Sequence, residues 1–280
     1  IKPLSNEVLS NLNKFQYKCT NDSIIYNKLW SPLLNKLVNY LPRKLAPNLI
    51  TISSLMLNIL AAIISYNDGG FDFSLKLKLS TCLRIGVFQL MYIILDNLDG
   101  KQARRTGNST PFGMLMDHGC DIFTNIFTAF NLTKLLMLGN KDFISFSAFF
   151  SLIVGFYFMT YEEYKLGEMH FTKINGADEG NFAVFVIGVV LFITGQDILN
   201  IKIKIMENLF NELTVGKFIG ILMFFSSFMI IFNLIIHYYQ RNKFKRMYTI
   251  FLDNLPFYSC CIIPILFIVY FPIFYGKYKW

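Results

Sequence analysis

Four aspartates and two glycines carry the chemistry that this sequence suggests. Asp96 and Asp99 are three residues apart, and Gly113, Asp117 and Asp121 follow one another at intervals of four. Residues three or four apart share a helix face, so each aspartate pair is expected to project from one face of its own helix. Ionisable groups are costly at membrane depth, and a cluster of them indicates a functional site. These oxygen ligands suit one or two hard divalent ions, Mg2+ or Mn2+.

The composition indicates the class of protein that must position these residues. Hydrophobic residues make up 54% of the 280 residues, aromatic residues 17% and charged residues only 16%. A soluble domain carries about 25% charged residues, so long apolar runs and scarce charge predict a polytopic helical membrane protein. The net charge of +8 does not indicate nucleic-acid binding, because the basic residues lie between apolar runs and form no recognisable module.

The apolar runs predict an all-α bundle of about seven membrane spans. Residues 1–47 mix apolar residues with lysines and are predicted to form an amphipathic region in the membrane interface. Residues 48–280 form one predicted transmembrane domain without internal repeats. The predicted spans cover residues 48–66, 80–98, 112–138, 142–162, 180–195, 216–239 and 255–275.

The distribution of Lys and Arg predicts the orientation of these spans. Basic residues are concentrated in residues 1–47, 99–111 and 241–246, which lie on one side if the spans alternate. The positive-inside rule makes that side cytosolic, so the aspartates are expected near the cytosolic face. On the other side, residues 197–213 alternate apolar and charged positions and predict an interfacial luminal helix.

The same region contains a motif that resembles a known signature. It reads D-x2-D-G-x2-A-R-x8-G-x3-D-x3-D and resembles the CDP-alcohol phosphatidyltransferase signature at each of its fixed positions, which are Asp96, Asp99, Gly100, Ala103, Arg104, Gly113, Asp117 and Asp121. The resemblance implies that the aspartates bind Mg2+ or Mn2+ against the pyrophosphate of a CDP-alcohol while a lipid hydroxyl displaces CMP. It also implies that the glycines, Ala103 and Arg104 bind the CDP-alcohol, Arg104 through a forked contact to phosphate.

Further segments are similar to the eukaryotic choline/ethanolamine phosphotransferase branch of that family. They are Leu45–Thr51, Asp99–Thr106, Asp117–Asp121, Glu162–Tyr164 and Glu179–Gly180. This resemblance implies transfer from CDP-choline or CDP-ethanolamine to 1,2-diacylglycerol, which gives phosphatidylcholine or phosphatidylethanolamine and CMP. It further implies a homodimer among membrane lipids of the endoplasmic reticulum, or of the Golgi. Members of the branch are longer, so we expect C-terminal elements to be missing here.

Individual roles follow from the resemblance and compete with simpler interpretations. His118 matches the base that accepts the proton of the lipid hydroxyl, and Asp121 is the alternative base. Glu179 matches a carboxylate that orients His118, and Asn48 matches a contact to the nucleotide, although Asn48 could instead be a helix N-cap. The aspartates could also form buried ion pairs with the nearby basic residues, which are Lys101, Arg104 and Arg105.

Other residues are predicted to have ordinary roles. Glu162 and Glu163 are interpreted as interfacial charges, His170 and His237 as polar positions without partners, and the five cysteines as structural. An aromatic cage for a quaternary ammonium group is possible near the site, but an aromatic belt is the more ordinary interpretation of its residues, which are Tyr92, Phe156, Tyr157, Tyr161 and Tyr164.

Three alternative functions stay open at this point. A synthase that uses CDP-diacylglycerol would share the aspartates but has no need for Asp117–Asp121 in this form. A cation channel or transporter would place its carboxylates near the bilayer midplane, often on broken helices. A lipid-binding scaffold with a dead active site would be expected to lack a motif residue, and none is missing.

Overall fold

The computed structural model describes residue 5 and residues 17–139, 143–203 and 213–242. Its chain divides into two compact units, Ile1–Phe232 and Asn233–Trp280. The contacts reported below belong to the first unit. The predicted all-α membrane fold is confirmed, because long helices make up nearly all the regular structure of the described residues.

Seven α-helices and two short strands follow one another along the described chain. The strands are β1 (Cys19–Asn21) and β2 (Met169–Phe171). The helices are α1 (Ser31–Leu37), α2 (Pro47–Gly69), α3 (Leu79–Thr106), α4 (Pro111–Leu135), α5 (Phe143–Leu166), α6 (Asn181–Thr194) and α7 (Val215–Asn242). Single π-helical turns precede α1 and α6 at Tyr26–Trp30 and Gly176–Gly180. Short 3-10 turns follow them at Val38–Tyr40 and Gln196–Asn200.

Helices α2 to α7 lie at the first six predicted spans, and the predicted span 255–275 lies outside the described residues. By length and apolar composition, the described residues contain three helices that could cross a membrane: Pro47–Gly69, Leu79–Thr106 and Gly176–Thr194. The predicted count of seven spans is therefore not confirmed. In the predicted interfacial region, the described residues form a π-helical turn, the short helix α1 and a 3-10 turn.

The predicted luminal helix over residues 197–213 is wrong at both of its described ends. Gln196–Asn200 is a short 3-10 turn, and the chain then runs as an extended segment. The Ile203 amide donates to Leu213 O at 2.9 Å, and the Val215 amide donates to Ile201 O at 3.0 Å. Lys202 thereby pairs with Thr214 in an antiparallel bridge. The amides of Ile203 and Val215 are thus satisfied by backbone pairing and not by helical hydrogen bonds. Residues 204–212 lie outside the described part.

A sharp turn between α3 and α4 brings the two aspartate pairs together. Helix α3 ends at Gly107, whose φ of 70° lies in the left-handed region that favours glycine. Helix α4 begins with Pro111, and the Thr110 side chain caps it by accepting a hydrogen bond from the Gly113 amide at 3.0 Å. Because three residues separate Gly107 from Pro111, the C-terminal part of α3 and the N-terminal part of α4 lie side by side.

The bundle interior combines close backbone contact with polar side chains. Gly86 on α3 and Gly188 on α6 allow these helices to touch, since a Cβ atom on Gly188 would lie 2.7 Å from the Cys82 carbonyl oxygen. Thr128 donates towards Asn58 and Gln89, at 3.2 and 3.3 Å. Buried apolar side chains of α2, α3, α4 and α6 surround this polar centre, among them Ala61, Ile85, Leu132, Val184 and Leu191.

The segment before α2 lies against the end of the bundle that carries the aspartates. Strand β1 pairs in parallel with β2, which follows α5. Trp30 is buried and packs edge to face on Phe182 of α6, with ring centroids 5.7 Å apart. Arg105 at the end of α3 donates to backbone carbonyls of this segment, including Leu41 O at 2.9 Å. These contacts keep residues 17–45 beside the site.

Candidate active site

The centre of the site is a group of three carboxylates on two neighbouring helices. Asp96 on α3 and Asp117 and Asp121 on α4 each offer one oxygen atom, and these atoms lie within 4.8 Å of one another. The three side chains are partly buried. Like charges this close repel strongly unless a cation or a proton lies between them. The arrangement therefore suits a metal ion, as the sequence predicted.

Asp99 lies beside this group and has a different environment. It is 5% exposed and stands within hydrogen-bonding reach of Asp117. The Thr51 hydroxyl of α2 donates to Asp99 Oδ2 at 2.5 Å. The structure thus brings all four predicted aspartates together, with three in one cluster and Asp99 next to Asp117. These four carboxylates could bind one metal ion or two.

The buried ion pairs that we considered for the aspartates are absent from the described part of the chain. Lys101 instead donates to Asn35 Oδ1 at 2.8 Å, and Arg105 binds backbone carbonyls of the N-terminal segment, among them Val38 O. Arg104 is exposed, and its guanidinium lies 3.4 Å from the position that a Cβ atom on Gly100 would take. It is therefore available to an anionic ligand.

The remaining residues predicted to bind the CDP-alcohol line the junction of α2, α3 and α4. A Cβ atom on Gly113 would lie 3.6 Å from Asn48 Oδ1, so the glycine leaves this amide accessible. Asn48 is the second residue of α2, and the residue in the N-cap position is Ala46. The N-cap interpretation of Asn48 is therefore wrong. Ala103 lies in the last turns of α3 and is partly buried.

His118 follows Asp117 on α4 and contacts a different set of neighbours. Its Nδ1 atom lies 3.5 Å from Glu163 Oε2 of α5. The rings of Tyr17 and Phe156 meet the imidazole edge to face, with centroids 6.2 and 6.3 Å away. Desolvation, with smaller contributions from Cys19 and Glu163, raises the pKa of Tyr17 above its ordinary value. The phenol therefore stays neutral beside the imidazole at physiological pH.

The predicted pairing of His118 with Glu179 is not the pairing in the structure. Glu179 Oε1 accepts hydrogen bonds from Ser23 Oγ at 2.7 Å and from the Ile25 amide at 3.2 Å. Its Oε2 accepts one from the Asn175 amide at 3.0 Å. Both oxygens of Glu179 thus hold the N-terminal segment, and the carboxylate that approaches His118 is that of Glu163.

Several predictions of ordinary roles also need correction. Glu162 is 3% exposed and the Glu163 side chain is 14% exposed, so neither is an interfacial charge. His170 has a partner, because its Nδ1 lies 2.8 Å from Thr20 Oγ1 in the strand pair. The side chain of His237 lies outside the described part. Cys19, Cys82 and Cys120 are free thiols. Cys260 and Cys261 lie outside the described residues.

The aromatic residues near the site do not form the cage that we considered. Tyr92 is buried and donates to Asp121 Oδ1 at 3.2 Å, and Phe156 packs on His118. Tyr157 stacks on Tyr161 with centroids 6.4 Å apart. The Lys165 Nζ atom lies 5.5 Å from the ring centroid of Tyr161 and 5.2 Å from that of Tyr164. An ammonium group of the chain itself therefore covers the faces of both rings.

Sequence reasoning missed three residues that touch the site: Thr51, Glu163 and Tyr17. Thr51 lies 48 residues before Asp99, and Tyr17 is further still from His118. No local spacing connects such pairs. The position of Tyr92 near the site could have been predicted, because it precedes Asp96 by four residues and so shares its helix face.

Comparisons with known proteins agree with this geometry. The sequence profile of the family described as CDP-alcohol phosphatidyltransferase matches residues 44–203, which include α2 to α6 and every described motif residue.

Individual relatives are similar over larger parts of the chain. Cholinephosphotransferase 1 of Homo sapiens is 31% identical over 225 residues, which are 78% of this chain and 53% of the relative. Ethanolaminephosphotransferase 1 of Mus musculus is 26% identical over 268 residues, which are 93% of this chain and 66% of the relative. A CDP-alcohol phosphatidyltransferase class-I family protein of Dictyostelium discoideum is 33% identical over 178 residues, 63% of this chain and 44% of the relative. The chain spans about half the length of most curated relatives that it matches.

Proposed function

The chain belongs to the CDP-alcohol phosphatidyltransferase family, and on that premise we propose that it is a choline/ethanolamine phosphotransferase. It would transfer phosphocholine or phosphoethanolamine from the CDP-alcohol to 1,2-diacylglycerol, giving the phospholipid and CMP. Relatives named cholinephosphotransferase 1 and ethanolaminephosphotransferase 1 support this substrate class. The homodimer, the endoplasmic reticulum location and the cytosolic orientation stay predictions from the resemblance and the charge pattern.

The observation that carries this proposal is the cluster of Asp96, Asp117 and Asp121 oxygens within 4.8 Å. Hard oxygen ligands without a cationic partner in the described chain fit Mg2+ or Mn2+. Either ion, when bound, would neutralise the pyrophosphate and the charge that develops on the leaving oxygen. Asp96, Asp117 and Asp121 would hold it, and Asp99 would add a ligand on the Asp117 side.

The residues around the cluster are suited to hold the nucleotide. Arg104 has a planar guanidinium that can bind two phosphate oxygens at once, and it is exposed beside Gly100. Gly113 has no side chain, so the CDP moiety can approach Asn48 and the start of α4. We therefore expect Arg104 to bind phosphate and Asn48 to bind the nucleoside part.

In the transfer step, the diacylglycerol hydroxyl oxygen attacks the phosphorus that carries the choline or ethanolamine group. The new P–O bond forms while the bond from that phosphorus to the bridging oxygen breaks, and CMP leaves with the electron pair. The proton of the attacking hydroxyl passes to His118. Its Nδ1 lies 3.5 Å from Glu163 Oε2, so Nε2 stays available to the substrate. The Glu163 carboxylate would stabilise the positive charge that the imidazole gains with the proton.

The competing functions fit the geometry less well. A cation transporter is expected to break its helices at the ion site. Here α3 runs without interruption through Asp96 and Asp99, and α4 runs without interruption through Asp117 and Asp121. A synthase that uses CDP-diacylglycerol would not need a histidine placed between a carboxylate and two aromatic rings.

The test is a transfer assay on the purified 280-residue chain in phospholipid nanodiscs. Labelled CDP-choline and CDP-ethanolamine are each supplied with diacylglycerol and Mg2+ or Mn2+, and labelled phospholipid is counted. We expect phospholipid and CMP in equal amounts with at least one donor. Parallel reactions contain CDP-diacylglycerol with inositol or glycerol phosphate. Product in those reactions alone would contradict the proposal and identify the other branch of the family.

A further inference from the structure

Two hydroxyl groups from outside the motif bind two of the four aspartates. Thr51 Oγ1 donates to Asp99 Oδ2 at 2.5 Å, and Tyr92 Oη donates to Asp121 Oδ1 at 3.2 Å. Thr51 is 3% exposed and Tyr92 is 6% exposed, so water does not compete for either bond. We propose that Thr51 and Tyr92 are positioning residues that orient Asp99 and Asp121 for the metal, an inference that rests on the proposed function.

The direction of the Thr51 hydroxyl supports this role. A buried threonine in a helix commonly bonds the carbonyl four residues earlier, and the Pro47 carbonyl is available to Thr51 at 3.3 Å. The hydroxyl has one proton, and both the Asp99 carboxylate and the Pro47 carbonyl lie within its reach. A hydrogen bond to a charged acceptor is also the stronger of the two. Thr51 is therefore expected to donate mainly to Asp99.

The positions of the two donors explain what they can do for the cluster. Each links two helices, since Thr51 of α2 binds a residue of α3, and Tyr92 of α3 binds a residue of α4. A carboxylate has two oxygens with about four acceptor directions, so a donor on one oxygen fixes the group and leaves the other oxygen for an ion. Partners of this kind raise metal affinity because they hold the ligand oxygens in place.

The experiment measures Mn2+ binding to the purified full chain by electron paramagnetic resonance, without CDP-alcohol or diacylglycerol. Thr51→Val removes the hydroxyl and keeps the side-chain shape, and we expect it to weaken Mn2+ binding by roughly 10- to 100-fold. Tyr92→Phe removes the longer bond and should weaken binding less. Thr51→Ser keeps a hydroxyl and should restore most of the affinity.

Thr124→Val is the matched control. Thr124 is 2% exposed and lies three residues after Asp121 on α4, and its hydroxyl has no hydrogen-bond partner among the residues the structure covers. It undergoes the same chemical change in the same helix bundle, so Mn2+ affinity should stay within about threefold of wild type. Equal affinities for Thr51→Val and Thr124→Val would overturn the role of Thr51.

Two further readouts separate positioning from stability and from the proposed function. In the transfer assay, Thr51→Val should need more Mg2+ for half-maximal rate and should recover most of its rate at saturating Mg2+, a response that a general loss of structure does not give. If Thr51→Val does not fold, unchanged Mn2+ affinity in Tyr92→Phe overturns the proposal. Wild-type protein that binds Mn2+ but transfers nothing would refute the proposed function and leave the positioning role standing.

Discussion

The two ends of the helix bundle differ in how their charged side chains are paired. At the end where α3 turns into α4, the four aspartates contact hydroxyl groups and one another, and no lysine or arginine of the described chain pairs with them. At the end where α2 turns into α3, Asp68 pairs with Lys78 at 3.1 Å, and Asp197 pairs with Lys76.

The second end also satisfies its polar groups with fixed partners. Lys134, on the buried side of α4, donates to the Asp72 carbonyl at 2.9 Å. Gln196 accepts a hydrogen bond from the Leu77 amide at 2.5 Å and donates to Leu135 O at 2.8 Å. At this end the chain itself supplies a partner for each of these charged and polar groups. By contrast, the carboxylates of the first end could hold a metal ion from outside the chain.

The largest expected effect tests whether the aspartate end needs an external cation. Asp96→Ala, Asp99→Ala and Asp117→Ala each remove a ligand, and we expect each to lower the transfer rate on the order of 100- to 1,000-fold or more while the protein still inserts into membranes. EDTA should silence the wild type, and Mg2+ or Mn2+ should restore it. Asp72→Ala, at the other end, is the control. Activity within a few-fold of wild type in any of the three ligand variants would remove that residue from the metal site.

The next effect distinguishes the base from the metal ligands within the same end. His118→Ala should lower kcat roughly 100- to 10,000-fold with little change in the KM for the CDP-alcohol, because a base acts in the transition state. His170→Ala, a histidine bonded to Thr20 in the strand pair, should stay near wild type. A near-normal kcat for His118→Ala would transfer the role of base to Asp121.

Glu163→Gln tests the corrected partner of that histidine. If Glu163 orients His118 and favours its charged form, the variant should lower kcat by less than His118→Ala does, again with little change in KM. The double variant should then be no worse than His118→Ala alone. Fully multiplicative losses in the double variant would show that the two side chains act independently.

At the opposite end a substitution should affect stability and leave metal binding unchanged. Gln196→Leu leaves the Leu77 amide and the Lys134 and Leu135 carbonyls without their side-chain partner. We expect it to lower the free energy of unfolding by roughly 2–4 kcal/mol, measured by thermal or denaturant unfolding in detergent. Its Mn2+ affinity should equal that of wild type. A large change in Mn2+ affinity would mean that the two ends are coupled.

The smallest expected effect concerns the surface pair at that end. Lys78 has a side chain that is 76% exposed, so its attraction to Asp68 is screened by water. Lys78→Ala should change the free energy of unfolding by less than about 1 kcal/mol. Unfolding of the variant and wild type at low and high salt measures this directly. A larger loss that persists at high salt would show that the pair is shielded from solvent more than its exposure indicates.

The sequence predicted the features that depend on local spacing. Helical periodicity placed α2 to α6, and intervals of three and four residues predicted that the aspartates would share a site. Partners that are distant along the chain could not be predicted, because several side chains of suitable chemistry compete for each position. Glu163 and Glu179 are both carboxylates near the end of the bundle, and only the packing of α5 against α4 decides which one meets His118.

The parallel pairing of β1 with β2 has a consequence for how the protein is made. Thr20 and His170, which meet in this pair, are 150 residues apart in sequence, and Ser23 is 156 residues from Glu179. At about 5–20 residues per second, a ribosome needs on the order of ten to thirty seconds to synthesise the stretch between them. During this time α2 to α5 are synthesised, while β1 and Ser23 still lack their partners in β2 and at Glu179. The neighbours of the proposed base, which include Tyr17 of this segment, are therefore complete only after the helices that carry the aspartates have been translated.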